Sequence, residues 1–185
     1  MKLGIYIGSF DPFHKGHKSV INHLLINKYV DKVLIVPTTN YWDKNNLLDI
    51  DKRIKMLKIY ENENIKIDTK HNNITYTYEL LEKLKTEYND ELYLIIGADN
   101  IINFDKWKNY KQILNNKILI LPRNNINVDN YTKKYKSAIL VKDFKMIDIS
   151  STKIRNLIKN KNINELNKYL DEQIINYIIK NNLYQ

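Results

Sequence analysis

Two histidines three residues apart, His14 and His17, close the run Gly8-Ser9-Phe10-Asp11-Pro12-Phe13-His14-Lys15-Gly16-His17, which follows a short apolar segment. Gly8 lets backbone amides come close to a phosphate. Pro12 sets a turn and denies that stretch to a helix. Gly16 and His17 fall where the next helix opens, and there unpaired N–H groups and the helix dipole favour an anion. Two imidazoles beside such a helix start can donate hydrogen bonds to a phosphate whose charge rises in a transition state. Asp11, His14 and His17 also have the donor types of a metal site, but no cysteine and no second ligand cluster accompany them. A turn with incidental histidines is the third reading. Against it, two of the four histidines and two of the four glycines fall between Gly8 and His17. His23 and His71 read as surface or core-edge residues. A Walker loop is excluded by the lack of Gly-Lys-Ser/Thr, and a dehydrogenase by the lack of G-x-G-x-x-G.

Arginine is scarce in this lysine-rich chain: only Arg53, Arg123 and Arg155 are present. Each therefore hints at a place that needs a planar fork for phosphate or carboxylate. Arg155 lies in Ile149-Ser150-Ser151-Thr152-Lys153-Ile154-Arg155. Hydroxyl side chains there can cap a helix, the helix start can hold a phosphate, and an arginine one turn in supplies the fork.

The elements that must position these residues can be read from hydrophobic periodicity. Leu3–Gly8, Lys32–Pro37, Ile65–Thr69, Leu92–Gly97, Lys117–Leu121 and Ala138–Val141 are predicted buried strands. Lys15–Tyr29, Asp51–Tyr60, Thr77–Tyr88 and Lys106–Leu114 are predicted helices between them, followed by Thr152–Lys159, Asn164–Tyr169 and Asp171–Lys180. Thr38–Asn46 and Asn124–Lys136 are predicted surface loops. This alternation gives an α/β, Rossmann-like fold: an open, mostly parallel sheet with helices on both faces and a C-terminal helical segment. One domain spans 1–185, with an α/β core over 1–148 and a phosphate-binding helix and helical tail over 149–185. Ligands of such a sheet bind at the carboxyl ends of its strands, which is where both chemical runs fall.

Composition narrows the class. The chain has 185 residues, 43% of them hydrophobic and 28% charged, as in an ordinary globular protein. No apolar run approaches the ~18 residues of a membrane span, and Leu3–Ile7 is too short for a signal peptide. Without cysteine there is no disulfide framework, thiolate metal site or cysteine nucleophile. The cytoplasm is the default compartment. The net charge of +9 raises polyanion binding, yet the lysines are scattered and form no block. No nucleic-acid or membrane partner is expected, and a homo-oligomer is left open.

The run Gly8 to His17 resembles the signature of the HxGH nucleotidylyltransferase superfamily, and Ile149 to Arg155 is similar to its ISSTxIR motif. Ile95-Ile96-Gly97-Ala98-Asp99-Asn100 with Lys106, Trp107 and Tyr110 resembles the GADN…W segment of bacterial nicotinate mononucleotide adenylyltransferases. Ile74 to Thr77, Arg123 after Leu121-Pro122, and the ending Tyr177-Ile178…Asn182-Leu183-Tyr184 are similar to further segments of that family. The chain departs from the pattern at Ile7, Asn124 and Asn182, where the family usually has glycine, and at Trp42-Asp43-Lys44, which stands for its P-P-H-K loop.

The resemblance implies adenylyl transfer from MgATP to nicotinate mononucleotide, giving nicotinate adenine dinucleotide and pyrophosphate in NAD biosynthesis. His14, His17 and Arg155 become the catalytic candidates. ATP would meet Gly8, Ser9, Phe10, His14, Gly16, His17, Ile149, Ser150, Ser151, Thr152 and Arg155. The mononucleotide would meet Lys44, Thr77, Gly97, Asp99, Trp107 and Arg123. Asp99 could accept from ribose hydroxyls and Trp107 could offer a face to the pyridine ring, although a core role is the plainer reading of a lone tryptophan. Mg2+ would be held mainly by the ATP phosphates, with no dedicated protein ligand. The rival readings are another member of the superfamily, acting on nicotinamide mononucleotide or phosphopantetheine, and a non-catalytic nucleotide or nucleic-acid binding module.

Overall fold

A computed structural model describes residues 1–39, 47–123 and 126–185. Its strands are β1 (Lys2–Gly8), β2 (Lys32–Pro37), β3 (Ile65–Ile67), β4 (Glu91–Gly97), β5 (Lys117–Leu121) and β6 (Ala138–Leu140). They form one sheet in the order β3-β2-β1-β4-β5-β6, with every adjacent pair parallel. The order reverses between β1 and β4, so the crevice beyond their carboxyl ends is the switch point at which such sheets bind ligands.

The strands read as unbroken apolar runs because both faces are covered. Leu3 and Ile5, Leu34 and Val36, Leu92, Leu94 and Ile96, and Ile118 and Ile120 point into one core. α3 (Thr77–Glu87) covers that face with Leu80, Leu81 and Leu84, joined by Ile101, Phe104 and Ile113. The alternate residues Val33, Ile35, Tyr93, Ile95, Leu119 and Leu121 face the other side, under Val20, Ile21 and Leu24 of α1 (Lys15–Ile26) and Leu57 of α2 (Ile50–Lys58). A third cluster joins Met56 of α2 to α7 (Ser151–Lys159) and α8 (Glu172–Lys180), through Ile154, Ile158, Ile174, Ile175 and Ile178.

Three predicted segments differ from the fold. The helix expected over Lys106–Leu114 is confined to α5 (Tyr110–Ile113), preceded by a 3-10 turn (Phe104–Lys106), while a further short helix, α4 (Ala98–Ile101), follows β4 directly. Asn109 breaks the expected helix by taking a left-handed φ of 52°, which asparagine tolerates better than most residues. The stretch Asn124–Lys136, expected to be all loop, contains α6 (Asp129–Lys134). None of its residues is buried, so it has no apolar stripe to reveal it. The segment expected as a helix over Asn164–Tyr169 is a 3-10 helix, Ile163–Lys168.

Candidate active site

The end of β1 and the start of α1 form a rigid corner. Phe10 holds a left-handed φ of 47°, and its ring lies where a side chain on Gly8 would stand, 3.0–3.3 Å from that place. Gly8 thus makes room for Phe10, whose ring, with those of Tyr6 and Phe13, walls His17, their centroids 5.1, 6.1 and 5.3 Å from the imidazole.

His14 and His17 close the helix start on each other. His14 is the N-cap residue, and its Nδ1 accepts from the His17 amide at 3.4 Å. His17 Nδ1 accepts from the His14 amide at 3.3 Å, completing a reciprocal capping box. The rings stack with centroids 3.7 Å apart. Burial pushes the His14 imidazole down to about 4. Burial, then His14, then the Arg123 guanidinium hold His17 well below its usual range. Both rings are therefore neutral near pH 7. Because each Nδ1 accepts from an amide, the ring proton sits on Nε2, so the pair offers two neutral N–H donors.

The second motif is bolted to the first. Ser150 caps α7, its Oγ accepting from the Lys153 amide at 3.2 Å. Ser151 Oγ donates to the Pro12 carbonyl at 3.0 Å. Arg155 donates from Nη1 to the Asp11 carbonyl at 2.6 Å and from Nη2 to Thr152 Oγ1 at 3.1 Å. Ile149 Cγ2 lies only 2.7 Å from where a β-carbon on Gly16 would stand, with the His14 ring at 3.0 Å. Gly16 is thus needed for the close approach of the two motifs.

A cavity of about 680 Å³ opens at this junction. It is lined by every expected ATP residue: Gly8, Ser9, Phe10, His14, Gly16, His17, Ile149, Ser150, Ser151, Thr152 and Arg155. Thr77, Gly97, Trp107 and Arg123 line it from the β4 and β5 side. Trp107 packs on Phe104 with centroids 5.4 Å apart and also lines the cavity. Asp99 does not line it. Its carboxylate folds back against Gly97 and accepts from Arg123 Nη1 at 3.0 Å, so the two polar groups expected to hold the mononucleotide hold each other here. Lys44, with Trp42 and Asp43, lies outside the described residues, as does Asn124. Asn182 takes a φ of 49°, the left-handed backbone for which the family favours glycine.

Three residues matter here in ways that motif reading missed. Arg53 is no phosphate fork. It is 1% exposed and donates to the carbonyls of Leu48, Ser9 and Thr38 at 2.7, 2.6 and 2.8 Å. Asp11 is fully buried and accepts from the Tyr184 hydroxyl at 2.7 Å, which takes its carboxylate away from any site ligand. His71 is buried at the sheet edge between Asp68, 2.7 Å away, and Glu87, 3.2 Å away. Asp68 is local to His71, but most of the other partners are distant, up to 173 residues apart for Asp11 and Tyr184, and no spacing marks them. Among the described residues no three histidines or carboxylates gather as a metal site, and no helix is long and apolar enough to cross a membrane.

Sheet order and site together define an α/β protein of the doubly wound kind whose switch-point cavity is lined by a histidine pair and a helix-borne arginine in place of a glycine-rich loop. A cytidylyltransferase-like family profile matches residues 5–157. The chain is 38% identical, over 87% of its length and 89% of the other's, to a probable nicotinate-nucleotide adenylyltransferase of Fusobacterium nucleatum. It is 36% identical, over the whole of both chains, to one of Flavobacterium johnsoniae. Among solved structures, Plasmodium falciparum nicotinic acid mononucleotide adenylyltransferase complexed with NaAD matches with a TM-score of 0.82 at 27% identity, covering 99% of this chain and 97% of that one. The chain belongs to the cytidylyltransferase-like family, and within it to the nicotinate-nucleotide adenylyltransferases.

Proposed function

We propose that this chain transfers the adenylyl group of MgATP to nicotinate mononucleotide, giving nicotinate adenine dinucleotide and pyrophosphate. The observation that carries the reading is the meeting of two motifs, 144 residues apart in sequence at Asp11 and Arg155, on one cavity at the switch point of the sheet. A phosphate oxygen of the mononucleotide attacks the α-phosphorus of ATP in line, the bond to the bridging oxygen breaks, and pyrophosphate leaves with that oxygen. No protein nucleophile is required; positioning and charge stabilisation supply the rate.

The neutral Nε2–H donors of His14 and His17 suit the α-phosphate oxygens, where negative charge builds, and being already desolvated they need little reorganisation. The start of α7 and Arg155 suit the departing β- and γ-phosphates. Trp107, Thr77 and Arg123 suit the mononucleotide, with Asp99 exchanging Arg123 for a ribose hydroxyl as the pyridine nucleotide enters. The Asp11 carboxylate and both imidazole Nδ1 atoms are already engaged, so the divalent ion, Mg2+ in our reading, enters with ATP as part of the substrate. In this reading the enzyme works in the cytoplasm, with nucleotides and not nucleic acid as its partners.

The test is pyrophosphate release from MgATP with nicotinate mononucleotide, nicotinamide mononucleotide or phosphopantetheine supplied separately. Release far greater with the first supports the reading. Release only with phosphopantetheine would keep the phosphate site and overturn the roles of Trp107 and Arg123. Salt-sensitive DNA binding without turnover would favour a binding module. His17→Ala should lower kcat by about two to three decades, with Tm falling only by the few degrees that a lost capping bond of about 1 kcal/mol costs; activity within about threefold of wild type would sink its role.

A further inference from the structure

The chain's penultimate residue is tied into the first motif by a single buried contact. Tyr184 Oη donates to Asp11 Oδ1 at 2.7 Å. Asp11 is wholly buried, so this bond sits where water cannot compete for it. The other Asp11 oxygen accepts from the Leu48 amide at 3.4 Å and stands 3.7 Å from Arg155 Nη1. That same Nη1 donates to the Asp11 backbone carbonyl at 2.6 Å. Asp11 therefore grips Arg155 twice, once through its backbone and once through its charge, while Tyr184 holds the carboxylate from behind. Arg155 lines the cavity; neither Asp11 nor Tyr184 does.

The anchoring of Tyr184 argues for a fixed role. Tyr184 adopts a left-handed φ of 64°, and the preceding Leu183 is buried in the cluster under α7 and α8. A bulky residue in that conformation is retained where surrounding structure over-determines it. Burial, reinforced by the Asp11 carboxylate, pushes the Tyr184 phenol well up, so it remains a donor at every pH at which the fold survives.

We infer that Tyr184 is a positioning residue: by holding the Asp11 carboxylate, it sets the angle at which the Arg155 guanidinium meets the leaving pyrophosphate. This rests on the adenylyl-transfer reading above, in which Arg155 serves the ATP side of the reaction.

Tyr184→Phe removes one hydroxyl and keeps the ring, and the test compares it with wild type, Arg155→Ala and the double variant in the full chain. Tyr184→Phe should lower kcat about tenfold or more, with the KM for the mononucleotide unchanged within twofold and Tm close to wild type. In the Arg155→Ala background the same change should have almost no further effect, because it acts through that arginine. Asp11→Asn keeps an acceptor for Tyr184 but removes the charge facing Arg155, and it should reproduce the loss in kcat. Independent, multiplying effects of Tyr184→Phe and Arg155→Ala would overturn the inference. So would a general rise in both substrate KM values, or a Tyr184→Phe protein that does not fold, since each marks a merely structural tail. A wild-type protein that releases no pyrophosphate would instead refute the adenylyl-transfer reading itself.

Discussion

Acid offers a direct test of the histidine pair. In the unfolded chain His14 takes up a proton near its ordinary 6.5, whereas in the fold burial lowers that point to about 4. At pH 5.5 an ordinary histidine is about 90% protonated, but folded His14 should be only about 3% protonated. Between those two pH values the unfolded state binds a proton that the folded state refuses. Stability therefore falls as pH drops from 6.5 toward 4, by roughly 3 kcal/mol from His14 alone at about 1.4 kcal/mol per pH unit. His17 is lowered in the same direction, so its loss adds to this one. The assay is long-range 1H–15N NMR of the ligand-free protein with labelled histidine, run from pH 8 to pH 5. Both residues should keep the Nε2–H pattern throughout, and denaturant unfolding at the same pH values should show the decline in stability. A midpoint between pH 6 and 7 for either ring, or an Nδ1–H tautomer, would refute the argument that the pair acts as two neutral donors.

Two further outcomes follow from the packing of the site. Gly16→Ala drives a methyl group against Ile149 Cγ2 at 2.7 Å and the His14 ring at 3.0 Å. The motifs must part by a fraction of an ångström, so kcat should drop about a hundredfold for a stability change of about 1–3 kcal/mol; steady-state kinetics paired with thermal unfolding reads both, and unaltered kcat would mean that the motifs need not touch. Arg123→Ala breaks an ion pair whose side chains are each more than 40% exposed, so by the usual worth of surface pairs Tm should move little. The KM for the mononucleotide should nevertheless rise about tenfold or more, and an unchanged KM would remove Arg123 from substrate binding.

Much of this molecule could be read from its chain because the signals are local. Parallel strands covered on both faces must be apolar at every position, and Lys32–Pro37 and Lys117–Leu121 are marked by that run alone. The corner from Gly8 to His17 holds its own caps, rings and turn within ten residues, so spacing sufficed to suggest an anion site there. Elements without such a stripe stayed hidden: α6 offers only Tyr131 to the core, and the break at Asn109 depends on one residue's tolerance of a left-handed backbone.

By itself, then, the sequence determined the α/β alternation, the two phosphate motifs and the family they resemble, since each is written in neighbouring residues. Only the tertiary structure decided what the scarce arginines do. Arg53, which scarcity alone offered as a fork, is spent on three carbonyls, while Arg123 pairs with Asp99 and Arg155 is held by Asp11. The same holds for the histidines, whose charge and tautomer follow from burial and from which amide each Nδ1 meets. A guanidinium or an imidazole has the same chemistry wherever it stands in a chain. Its partners are set by which distant segments the fold brings within 3 Å, and that is settled only when the sheet has formed and the C-terminal helices have packed against α2.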